Sequence, residues 1–489
     1  MNATRTDTPG RQSTDAATTG PEAFDGRIVM VGCGSIGQAV LPLLARHVTL
    51  AAPITVLSMD ERGRGIARAC GAQFLHCHLK PGTFHRELGR YVRPGDLLLN
   101  VSVDVSSLDL VEWCAEHGVL YVDTSIEPWP GVFDNPMLTV RDRTNYLARD
   151  RMLRLARRLG PDAPTAIVDH GANPGLVSHF VKRALLDLRV QIEPPAQPPA
   201  ERSGWAALAR DLGVSLIQIS ERDTQAAERP KRPNEFVNTW SIDGFVDELM
   251  QPAELSLGTS EPGRPQGSLH HRRGSGTIYL KRPGGATFAR SWLPSLGGFQ
   301  GLLVTHDEVF SIADYLSVRD GGVFTYRPTV LFVYHPCDDA MLSALELEGR
   351  GWQMQPNRRV VTTELVTGAD ELGVLLAGHP RNAYWFGSQL SIEEARHHVP
   401  HANATTLQVA AGALAGVVSA IRHPRRGVLE ADDLDFEECL AIAGPYLGRL
   451  VGAFTEWTPL QGRGELFDEA LDPLQPWQLR NVRARQWRA

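Results

Sequence analysis

Apolar residues fall in short blocks along the first third of the chain, and polar stretches punctuate them. Arg27–Val31 is apolar and β-branched, the pattern of a strand buried on both faces. A glycine-rich turn follows, then an apolar helical segment from Ile36 to about Arg46. Ile54–Met59 reads as a second strand ending at Asp60, Arg62–Cys70 as a helix and Gln73–His78 as a third strand. The alternation continues with a strand at Asp96–Val101, a helix at Leu108–His117 and a strand at Leu120–Asp123. Arg141–Leu159 is a long helix with Met152, Leu155 and Leu159 on one face, and Ala166–Val168 is one more strand. Strands and helices alternating in this way predict an α/β fold, a Rossmann-type doubly wound parallel sheet.

The periodicity changes after the loop Asp169–Gly175. Ser215–Ser220, Thr277–Lys281, Gly301–Thr305 and Thr329–Tyr334 look like strands separated by long connections. They predict a second domain of mixed α+β type. Pro194–Ser203 is Pro-rich and Thr259–Gly276 is rich in Gly, Pro, Ser and Arg, so both are expected to project or flex. Ala404–Ile421 is apolar nearly all round, the mark of a buried helix. The last 40 or so residues give little signal.

Composition narrows the class. With 489 residues and 43% hydrophobic content, the chain has enough apolar material for large cores. A net charge of −7 argues against a broad nucleic-acid footprint. Seven arginines crowd Arg141–Arg158, but no known nucleic-acid-binding motif accompanies them, and a solvated helix face is the expectation. No apolar run approaches the roughly 20 residues that cross a bilayer. The N-terminal 24 residues lack an apolar core and read as a disordered tail. Six cysteines without a CxxC pair fit reduced thiols in a cytoplasm.

The most specific local motif is Gly32-Cys-Gly34-Ser-Ile-Gly37, directly after a strand and opening a helix. Gly32 permits the tight turn, Gly34 lets backbone approach a pyrophosphate, and Gly37 lets helix and strand pack closely. Ser35 and Ile36 begin the helix whose free N–H groups face the phosphates. Asp60 closes the second strand, where a carboxylate accepts hydrogen bonds from ribose hydroxyls and repels a 2′-phosphate. NAD is favoured over NADP, although Arg62 and Arg64 stand nearby. FAD and a nucleotide sugar use similar turns. Ser102 and Thr124, at neighbouring strand ends, join the expected cofactor-binding set. Asp104 is either a site residue or the cap of the helix near Leu108.

These signals divide the chain into a tail (1–24), an NAD-binding domain (25–168), a substrate domain (169–402) and a C-terminal helical segment (403–489) packing back on the first domain. Several turn-like stretches then combine acids with amides and aromatics. They are Tyr121–Trp129, Asp169–Gly175, Glu221, Asn238–Glu248 and His306-Asp-Glu308. Such groups suit a cationic amine, since a Trp face attracts a cation with about 0.5–2 kcal/mol. Sequence spacing does not gather them around one pocket.

Longer stretches carry a family resemblance. They are Gly32–Gln38 with Leu41–Leu43, Asp169–Lys182, Glu235–Trp240, Tyr326–Thr329, Tyr334–Asp339, Asn382–Leu390 and Asn403–Val409. On these the chain resembles the bacterial homospermidine synthases, of the saccharopine dehydrogenase-like group. The resemblance implies a homodimer that holds NAD tightly and recycles it. It implies putrescine oxidised to an imine, with ammonia leaving as a second amine enters. The new imine is reduced by the same NADH, and spermidine can serve as aminobutyl donor with diaminopropane released. By the same resemblance Trp240 holds the cationic intermediate by cation–π contact, and Asn173 and Glu248 anchor the inner amine. Glu221 and Asp370 supply acid around the passage, while Glu127 and His306 serve the outer amine and proton movement. Asp104 joins this set.

Two other readings differ in class. A saccharopine- or carboxyspermidine-type dehydrogenase would show net redox output and need cationic residues for its carboxylated substrate. A non-catalytic NAD-binding protein would bind without turnover. No metal is expected, because His76-Cys-His78 and His397-His398-Val-Pro-His401 lack zinc-motif spacing. Neither a nucleic acid nor a membrane is an expected partner.

Overall fold

A computed structural model describes residues 20–133, 135–190, 197–271 and 276–484. Residues 1–19 of the expected tail, 194–196 of the Pro-rich stretch and 272–275 of the Gly-rich one lie outside the described residues.

The first sheet is built of β1 (Ile28–Val31), β2 (Thr55–Ser58), β3 (Gln73–His76), β4 (Leu97–Asn100), β5 (Leu120–Asp123) and β6 (Ala166–Ile167). Their order is β3-β2-β1-β4-β5-β6, all parallel, with the short strand Val428–Leu429 added beyond β6. That order reverses direction at β1, so a crevice opens beyond the strand ends beside β1 and β4. Every residue of β1, β4 and β5 is buried, which matches their apolar runs, closed by Asn100 in β4 and Asp123 in β5. Helix α1 (Ser35–His47) leaves β1 through the glycine turn, and α2 (Ser107–His117) follows β4. The cap of α2 is Ser106, whose Oγ accepts the Asp109 N–H, so Asp104 is not the cap.

The long helix starts later than the sequence suggests. A 3₁₀ turn occupies Val140–Arg143, and α3 runs Asn145–Leu159. The Glu254 carboxylate accepts the Asn145 backbone N–H at 2.7 Å and fixes this start. One of the seven arginines also departs from the expected solvated face. Arg149 is buried and paired with Glu430 at 2.5 Å and Asp314 at 3.0 Å.

The second sheet is ten-stranded. Its central members are β7 (Leu216–Asp223), β9 (Pro252–Ser256), β10 (Thr329–His335), β11 (Ala369–His379), β12 (Asn382–Ser391) and β13 (Arg449–Thr455), in the order β9-β10-β7-β11-β12-β13. The β7–β10 pair is parallel and the other pairings along this path are antiparallel. Helix α4 (Leu176–Val190) packs on this sheet. Outside it, β8 (Glu235–Asn238) leads through Trp240 into α5 (Ile242–Met250). The strand expected at Gly301–Thr305 sits earlier, at Gly297–Leu302.

Helix α6 (Ala404–Arg422) is apolar enough to cross a membrane by composition, yet 89% of that stretch is buried inside the protein. It packs on α1 and reaches β5. Gly412 lets the helix also press against the loop Asp169–Gly175, since a Cβ there would meet the Gly171 carbonyl oxygen at 2.0 Å. The stretch after residue 402 is not all helix, because Val428–Leu429 extends the first sheet and β13 edges the second. The six cysteines are unpaired.

Candidate active site

One continuous cleft of about 1280 Å³ runs from the glycine turn to the face of the second sheet. At its first end, Gly32 has φ of +92°, and a Cβ there would strike the Val101 carbonyl oxygen at 2.7 Å. Gly34 faces open space, while a Cβ at Gly37 would meet the Gly32 carbonyl oxygen at 2.9 Å. No side chain caps α1, so the N–H groups at Ser35 and Ile36 stay open to the cleft. This is the arrangement a dinucleotide pyrophosphate requires. Ser102 and Thr124 also line the cleft, as do Asp60 and Arg62 at the end of β2. Arg62 donates to the Asp60 carboxylate and holds its pKa below the usual range.

The other end collects the acids and aromatics. Asn173, Glu221, Trp240, Glu248, His306 and Glu127 all line the same cleft, although they come from five separate stretches. Asn173 Nδ2 donates to Glu221 Oε2 at 2.7 Å. His306 Nε2 lies 3.0 Å from Glu248, and its Nδ1 lies 3.5 Å from the buried Glu308. The two carboxylates flank the ring and push its pKa up against the opposing effect of burial. The two carboxylates thus favour the charged form of the ring. Burial raises Glu248 and Glu221 as well, and the Asp370 charge adds to Glu221.

Glu127 accepts from Ser125 Oγ at 3.0 Å. Desolvation, helped by Asp247, Asp104 and Asp123, pushes its pKa up to about 8. Asp307, in the wall near His306, is also pushed up to about 8, chiefly by burial. Asp104 lines the cleft from an exposed position with φ of +65°. Asp370 does not line it. It lies fully buried behind Thr405, whose hydroxyl donates to it, and Thr405 forms the wall in its place.

Trp240 is half-buried, and its Nε1–H donates to Tyr334 Oη at 3.3 Å. Phe332 and Tyr334 both line the cleft. They sit two apart on β10, so strand alternation turns them to one face. That period was the available signal for both, and for neither was a role read. Thr405 and Thr406 begin α6 with an Asn403 cap, the signal for a helix start in the wall.

Among the described residues, one group could hold a metal: His170, His179 and Cys439. His170 Nδ1–H donates to the Gly412 carbonyl oxygen at 2.8 Å, so its Nε2 is the acceptor for His179 Nε2–H at 2.9 Å. That hydrogen bond already accounts for the pair.

Comparison with known proteins matches this geometry. The saccharopine dehydrogenase NADP binding domain family covers residues 28–167, and the saccharopine dehydrogenase C-terminal domain family covers 171–455. The homospermidine synthase of Blastochloris viridis is 48% identical over 94% of this chain and 98% of its own. The chain belongs to the homospermidine synthase family. The Mesorhizobium japonicum homospermidine synthase is 44% identical over 94% of this chain and 96% of its own. The crystal structure of the Legionella pneumophila homospermidine synthase in complex with NAD superposes with a TM-score of 0.88. It is 40% identical and covers 95% of this chain and 99% of that one. Homospermidine synthase membership fits the acidic and aromatic end of the cleft, where a dehydrogenase of carboxylated substrates would need cations.

Proposed function

We propose that the chain makes homospermidine from putrescine, taking aminobutyl groups also from spermidine, with NAD recycled inside the cleft. The observation that carries this is one cleft with the glycine turn at one end and Trp240, Glu221 and Glu248 at the other. The residues fit NAD. Gly34 leaves room, the open end of α1 offers N–H groups, and the ionised Asp60 disfavours a 2′-phosphate. NAD bound there supplies a hydride acceptor and, once reduced, the donor that returns it.

The chain's residues do the rest. Glu248 and Glu221, with Asn173, receive the ammonium of the donor amine. That ammonium must lose a proton before its carbon can be oxidised, and carboxylates with raised pKa values accept protons near neutral pH. Glu127, at about 8, is suited to this exchange. The oxidised carbon is an iminium cation. Trp240 offers it an aromatic face, worth about 0.5–2 kcal/mol, and unlike a carboxylate forms no covalent bond with it. The second amine then adds, ammonia departs, and the new iminium is reduced. His306, whose charged form Glu248 and Glu308 favour, tempers the negative charge beside the inner amine.

A homodimer belongs to the same reading, and sedimentation equilibrium tests it. The activity test is product identification by mass spectrometry from putrescine with a trace of NAD. Homospermidine and ammonia in equal amounts, without build-up of NADH, are the expected result. Putrescine loss that stops once the trace of NAD has all become NADH would overturn the reading.

A further inference from the structure

Three contacts fix the indole of Trp240. Its Nε1–H donates to Tyr334 Oη at 3.3 Å. Phe245 meets it at 5.7 Å between centroids with a tilt of 56°. Gly244, in the first turn of α5, lies so close that a Cβ there would stand 3.0 Å from Trp240 Cζ3. Tyr334 is itself held. It is 2% exposed, stacks parallel to Phe332 at 5.6 Å and meets Phe245 edge-on at 5.9 Å. Its hydroxyl is therefore a fixed acceptor. A half-buried indole with free χ angles would otherwise choose among several orientations, and only some of them turn a face to the cleft.

We propose that Tyr334 is a positioning residue that acts through Trp240. Together with the bare backbone of Gly244, it orients the indole so that one face addresses the substrate carbon. This rests on the cation–π role given to Trp240 above. The diamine ground state is held by carboxylates, and positive charge reaches the reacting carbon only after oxidation begins. Loss of orientation therefore acts on kcat, with KM little changed.

The test is a double-mutant cycle between Tyr334→Phe and Trp240→Phe, with NAD binding and thermal unfolding as controls of folding. Phenylalanine at 240 keeps a π face but has no N–H to donate. Tyr334→Phe is expected to lower kcat about 5- to 20-fold at unchanged KM in the native background, the loss of one oriented contact of roughly 1–2 kcal/mol. In the Trp240→Phe background the same change is expected to cost less than about twofold. Gly244→Ala, which crowds the indole, is expected to lower kcat in the native background as well.

An equal loss in both backgrounds would overturn the proposal, since Tyr334 would then act through its strand neighbour Glu221. An unchanged kcat in Tyr334→Phe, or a rise in KM alone, would also overturn it. A wild-type rate in Trp240→Phe and in Trp240→Ala would instead defeat the cation–π reading itself.

Discussion

At the residue scale, the site joins an aromatic face to carboxyls whose pKa values burial raises. Trp240→Ala removes the face, and turnover is expected to fall by roughly 30-fold or more, the kinetic equivalent of about 2 kcal/mol. NAD affinity, measured by fluorescence titration, should stay unchanged because the glycine turn is remote in the cleft. Glu127 offers a pH test. Its pKa is raised to about 8, so it is largely protonated at neutral pH and becomes a competent base as pH rises toward that value. The rate of the oxidation step should therefore climb with pH through about 8. Glu127→Gln should flatten that limb, and an unchanged limb would give the base role to another group.

At the element scale, the lobes are fastened by helix α3. Arg149 is 4% exposed and bridges Glu430, beyond the first sheet's last strand, and Asp314 of the second lobe. Glu254 of β9 fastens the helix start. Arg149→Ala leaves Glu430 without this counter-ion and Asp314 to Arg327, a change expected to cost about 3–5 kcal/mol by denaturant unfolding. A loss below about 1 kcal/mol would show that the bridge carries little of the lobe contact.

The α3 region also marks how far the sequence could be read. The strands β1, β4 and β5 were legible because strands covered on both faces are mainly apolar runs. The buried Arg149 was not, since its partners lie far away in sequence and its neighbours are solvated arginines. Asp60 and the glycines were legible because their chemistry is local to one turn. Asp370 was assigned to the passage by resemblance, yet its side chain faces Thr405. A strand residue shows which partners it has only once the register with β7 is known. Tyr334 was missed because its function lies in an acceptor for a side chain from a different stretch.

At the scale of the whole molecule, the modest net charge of −7 conceals a concentration of buried acid. Glu127 and Asp307 are held up to about 8, and Asp123 to about 7, mainly by burial. A carboxyl whose folded pKa is raised contributes stability that is complete below its unfolded value and lost as pH rises through the folded one. The free protein's thermal midpoint should thus fall as pH rises through about 7 to 8. Putrescine, a dication, should oppose that fall by pairing with the ionised groups. Scanning calorimetry with and without the diamine checks this, and identical slopes would separate the acids from substrate binding.

Hydrogen removed from the donor carbon is expected to stay in the cleft and return to the product. Putrescine carrying deuterium on the carbons next to nitrogen tests it most directly, with unlabelled NADH added in excess. Homospermidine that retains the full label, whatever the excess, is the expected result. Label that dilutes into the added NADH would contradict it.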